Sequence, residues 1–93
     1  MKKILIIEDN SDVRENLAEI LQLSGYEAIM AENGKVGATK AQAELPDLIL
    51  CDIMMPELDG YGVLHILSHQ ATTADIPFIF LTAKAEKEDF RRG

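Results

Sequence analysis

The sequence predicts an α/β protein built on a doubly wound parallel sheet. Three observations carry that expectation. Short apolar runs recur without the polar alternation of a half-exposed strand, as in Ile4-Leu5-Ile6-Ile7 and Leu48-Ile49-Leu50-Cys51. Segments with apolar residues at helical spacing separate these runs. The runs end abruptly in polar residues, as strands do whose carboxyl ends open on a crevice.

Taken in order, the first run stops at Glu8-Asp9-Asn10, and Ser11 or Asp12 is expected to cap a helix. Its apolar positions, Val13, Leu17, Ile20, Leu21 and Leu23, recur until Gly25 ends it. Tyr26 to Ala31 reads as a second, weaker strand, with Glu32-Asn33-Gly34 as the turn leaving it. A helix rich in Ala and Lys follows from about Val36 to Leu45 and is stopped by Pro46. Leu48 to Cys51 forms the third strand and delivers Asp52 at its end. The next loop contains Pro56 and Gly60, and Asp59 is expected to cap a helix from about Tyr61 to Ser68 that buries Val63, Leu64 and Leu67. Ile76-Pro77 introduces a fourth strand, Phe78 to Leu81, ending at Thr82, and Glu86 to Arg92 reads as the opening of another helix. Strands alternating with helices imply right-handed crossovers.

The 93 residues are expected to form a single domain, 47% hydrophobic but only 5% aromatic, so its core is aliphatic. A net charge of −7 disfavours direct nucleic-acid binding and anionic membrane surfaces. The lone Cys51 follows three apolar residues and reads as a core thiol in a reducing compartment, not as a nucleophile. The apolar stretch before Glu8 is too short for a secretory signal, and no run reaches membrane-spanning length, so the expected location is the cytoplasm.

Chemistry concentrates at three strand ends: Glu8-Asp9, Asp52 and Thr82. Adjacent parallel strands lie about 4.8 Å apart, so neighbouring first and third strands would bring their acids into one small site. Carboxylates that close repel unless a cation joins them, and an oxygen-only donor set with room for water suits Mg²⁺. His65 and His69, four apart on a helix, have no third ligand nearby in the sequence and read as solvated.

Three segments in order, Ile-Ile-Glu8-Asp9-Asn10, then Leu-Cys-Asp52-Ile-Met-Met-Pro56-Glu-Leu-Asp59-Gly60, then Phe-Leu-Thr82-Ala83-Lys84, resemble the response-regulator receiver domains of two-component signalling. The resemblance implies a flavodoxin-like fold with strand order 2-1-3-4, in which Asp52 accepts a phosphoryl group from a phosphohistidine on a sensor histidine kinase or histidine phosphotransfer protein. It further implies that Asp9, Asp52 and the Met54 carbonyl bind Mg²⁺, with Glu8 acting directly or through water. Thr82 would hydrogen-bond the phosphoryl oxygens and register phosphorylation. Such a domain is a signalling phosphoacceptor rather than an enzyme acting on a separate substrate.

The family pattern continues with a lysine after a fifth strand, a switch aromatic and a last helix, none of which precedes Gly93. The expectation is a receiver domain spanning 1–93, incomplete at its C-terminal end, within a longer natural protein. The lysine's role is not transferred to Lys84 or Lys87. A four-stranded sheet also leaves the fourth strand as an apolar edge, through which a homodimer could pair. The alternative function is an interaction module of the same fold that is not efficiently phosphorylated. A metal-dependent phosphohydrolase is disfavoured because Met54 stands where a second carboxylate would be needed. A dinucleotide site lacks its glycine fingerprint.

Overall fold

The structure is a computed structural model of the chain, and the residues it describes are 1–81. Seven elements alternate among them: β1 (Lys3–Ile7), α1 (Ser11–Leu23), β2 (Glu27–Ala31), α2 (Gly34–Glu44), β3 (Leu48–Asp52), α3 (Gly60–Ser68) and β4 (Phe78–Leu81). The strands form one parallel sheet in the order β2-β1-β3-β4, the doubly wound, flavodoxin-like arrangement expected. Thr82 and the helix expected over Glu86 to Arg92 lie outside the described residues.

The continuous apolar run of β1 is explained by burial on both sides, since Ile4, Leu5, Ile6 and Ile7 are all buried. Strand alternation sends Leu5, Ile7, Ile49 and Cys51 to one face, where they meet Ala38 and Ala41 of α2 and Val63 and Leu67 of α3. Burying each of the large aliphatic side chains contributes about 1.5–3 kcal/mol. Helix α2 lies close to β1 because Gly37 faces Ile7: a Cβ there would sit 2.5 Å from Ile7 Cδ1. Helix α1 covers β1 and β2 on the opposite face.

Element boundaries depart from the sequence reading where side chains cap helices. Asn10, rather than Ser11 or Asp12, caps α1, its Oδ1 accepting from the Val13 N–H at 3.0 Å. Asn33 caps α2 in the same way through the Val36 N–H at 2.8 Å, so the helix starts at Gly34, two residues before the expected Val36. Leu45 is not the last helical residue; it takes a left-handed conformation with φ 47 and leads into Pro46. Gly25 supplies the left-handed turn after α1, at φ 92, as its position suggested. The apolar stripe expected on α1 is buried only in part, for Ile20 is 59% and Leu23 82% exposed. At the end of α3, buried Thr73 donates its hydroxyl to the Leu67 carbonyl at 2.6 Å, satisfying a terminal helix acceptor.

Candidate functional site

The order of strands reverses between β1 and β3, because the chain leaves β1 toward β2 on one side and β3 toward β4 on the other. That switch point opens a crevice beyond the strand carboxyl ends. Ile7 is paired with Cys51, so continuing the register by one residue sets Glu8 beside Asp52. The Glu8 N–H still bonds the Ala31 carbonyl at 3.0 Å, which holds Glu8 in line with the sheet before the chain turns away. Asp9 follows on the solvent side.

Carboxylate oxygens of Glu8, Asp9 and Asp52 all lie within 4.8 Å of one another, the first and last buried and Asp9 exposed. Glu8 and Asp52 are only 2% and 3% exposed, and burial of that degree fixes the direction of their carboxylates. Glu8 Oε2 accepts from the Asn10 N–H at 2.9 Å, and Asp52 Oδ1 accepts from the Met54 N–H at 3.3 Å. Three oxygen donors converging from two strand ends, with one side open to water, form a donor set that fits a hard divalent cation.

The loop after β3 is shaped around Asp52. Asp59 caps α3 by accepting the Gly62 N–H at 2.9 Å, the role expected of it. Gly60, the first residue of α3, lies against the Asp52 backbone so closely that a Cβ would stand 2.5 Å from the Asp52 carbonyl oxygen. Between them Glu57 turns through φ 68, and the Leu58 N–H closes on the Pro56 carbonyl at 2.8 Å. Met54, 67% exposed, lines an open cleft with Ile53, Met55, Pro56 and Asp59.

Cys51 precedes Asp52 but turns into the core, its Sγ–H directed at the Asp52 carbonyl at 3.3 Å. Burial, reinforced by the negative charges of Asp52, Glu8 and Asp59, pushes its thiol up to about 12. A thiol held protonated in this way is no nucleophile at neutral pH.

The structure thus brings together Glu8, Asp9 and Asp52, and puts the Met54 backbone against Asp52; Thr82 is outside the described residues. Two contributors escaped the sequence reading. Asn10 both caps α1 and anchors Glu8, and its place just ahead of a helical pattern could have revealed it. Arg14 Nη1 donates to the Glu8 carbonyl at 2.8 Å, a contact across six residues that no local pattern signals. Away from the crevice, His65 and His69 both stand exposed at the end of α3, with ring centroids 4.3 Å apart.

Comparison with known proteins agrees with this geometry. Residues 4–93 match the family model described as the response regulator receiver domain. The chain is 42% identical over 88 residues to the probable transcriptional regulator ycf27 of Cyanophora paradoxa, covering 95% of this chain and 36% of that protein. It is 39% identical over 92 residues to the phosphate regulon transcriptional regulatory protein PhoB of Pseudomonas aeruginosa, covering 99% of this chain and 40% of the relative. These relatives are therefore more than twice as long as the segment they share with it. Among solved structures, the signal receiver domain of a histidine kinase from Syntrophus aciditrophicus superposes with a TM-score of 0.83 at 33% identity, covering 100% of this chain and 74% of that one. The chemotaxis protein CheY4 of Vibrio cholerae also gives 0.83, at 26% identity, with 100% and 81% covered. No helix among the described residues is long and apolar enough to cross a membrane. With its sheet order, its acidic crevice and a family match over nearly all its length, the chain belongs to the response regulator receiver domains, the signal-transduction domains of two-component systems.

Proposed function

We propose that this chain is a phosphoacceptor in a two-component phosphorelay, with Asp52 receiving the phosphoryl group from a phosphohistidine on a sensor histidine kinase or histidine phosphotransfer protein. The supporting observation is the convergence of Glu8, Asp9 and Asp52 within 4.8 Å at the switch point of the sheet. One Asp52 oxygen attacks phosphorus in line, an O–P bond forms, and the P–N bond to the donor imidazole breaks with its electron pair leaving on nitrogen. Burial and the Met54 N–H orient the Asp52 carboxylate for that attack. Asp9, Asp52 and the Met54 carbonyl would hold Mg²⁺, with Glu8 contributing directly or through water. When bound, the ion supplies the positive charge that lets a carboxylate approach an anionic phosphoryl group.

Phosphorylation adds charge and acceptor oxygens beside the loop of residues 53–59, and Thr82 is the hydroxyl we assign to meet them. The product is an altered binding surface, so the domain acts as a switch in the cytoplasm and turns over no separate substrate. Mg²⁺-dependent labelling with acetyl phosphate, read by intact mass, tests the assignment: wild type should gain one phosphoryl group and Asp52→Asn none. Equal labelling of both would remove Asp52 as acceptor. Labelling of neither would favour the interaction module.

A further inference from the structure

We propose that His65 and His69 form a second cation site, a pair of imidazoles at the C-terminal end of α3 that binds a borderline divalent transition ion such as Zn²⁺. The two side chains are four residues apart, the spacing that puts neighbouring turns of a helix on one face. Both are exposed, and their ring centroids lie 4.3 Å apart with planes inclined by 43°.

One nitrogen of the His69 ring is held by the backbone. Its Nδ1 lies 2.7 Å from the His65 carbonyl oxygen, and because a carbonyl only accepts, Nδ1 must carry the proton. With Nδ1 used in that way, Nε2 is the ring nitrogen left for a ligand contact. Tethering one ring nitrogen to a backbone carbonyl is how ligating histidines are commonly fixed in tautomer and direction. Ser68 Oγ donates to the same carbonyl at 3.0 Å, adding a second hold on that turn.

The surroundings also favour a cation. Helix carbonyls make the C-terminal end of α3 electronegative, and the chain carries a net charge of −7. Imidazole nitrogen selects zinc, copper or nickel over magnesium, whereas the carboxylates at the crevice make the opposite choice. Gly60 at the start of α3 lies against the Asp52 backbone, and His65 and His69 follow roughly 7 Å and 13 Å further along the helix axis. A bound ion would fasten the last turn of α3 to its cap, with water completing its coordination.

The test is titration of the whole chain with ZnCl₂ under saturating MgCl₂, following heat and the imidazole proton resonances. One Zn²⁺ should bind per chain and shift the His65 and His69 signals together. His65→Gln and His69→Gln should each lower the affinity by roughly tenfold or more, while Asp9→Asn leaves it in place. Because both histidines are exposed, circular dichroism should show the two variants folded. Unchanged affinity in both histidine variants, loss of zinc binding in Asp9→Asn alone, or no binding by wild type would each overturn the proposal.

Discussion

On the face of the sheet covered by α2 and α3, Leu5, Ile7, Ile49, Cys51, Val63 and Leu67 are sealed against one another. On the opposite face α1 buries Ile4 and Ile6, yet among the described residues Ile79 of β4 remains 51% exposed, and Ile20 and Leu23 of α1 are 59% and 82% exposed. Small residues make the difference. Gly34, Gly37, Ala38 and Ala41 are all buried on α2 and let that helix settle onto β1, whereas on α1 only Ala18 is buried. The two faces consequently support the crevice differently. Asp52 is positioned by core packing through α3, while Glu8 is positioned by hydrogen bonds from Asn10 and Arg14 at the head of α1.

The contrast predicts a graded response to substitution. Ile7→Ala opens the sealed face and should cost about 2–5 kcal/mol in urea unfolding, the largest effect expected here. Gly60→Ala drives a Cβ into the Asp52 backbone, which cannot yield as a side-chain tip would. It should cost about 1–3 kcal/mol and slow acetyl phosphate labelling further than an equally destabilising core change does. If labelling only followed stability, the coupling of α3 to Asp52 would be refuted.

Leu23→Ser, on the open side, should shift stability by no more than about 0.5 kcal/mol. Smaller still at neutral pH is the effect of Cys51. Its thiol is raised in the folded state, so the protonated thiol favours folding below the ordinary cysteine range, and that contribution fades as pH climbs toward about 12. A thiol reagent at pH 8 should therefore modify Cys51 only as fast as the chain unfolds. Rapid labelling without unfolding would show that the sealed face opens locally.

Helix and strand identities were legible from the chain because they depend on local periodicity, and so were the acids at the strand ends. The exposure of Ile20 and Leu23 was not legible: helical spacing defines a stripe but not what covers it. Arg14 was hidden for a related reason, since its contact with the Glu8 carbonyl depends on how α1 leaves β1.

The amino-acid sequence by itself determined the order of elements, the turn at Gly25, and the placing of Glu8, Asp9 and Asp52 immediately beyond apolar runs. Only the tertiary structure decided that β1 and β3 are neighbours and that their register sets Glu8 beside Asp52, closing 43 residues of chain into a site no wider than 4.8 Å between ligand atoms. The physical reason is that residue type acts within a turn or two of chain, whereas strand adjacency is settled by which apolar faces can be buried together.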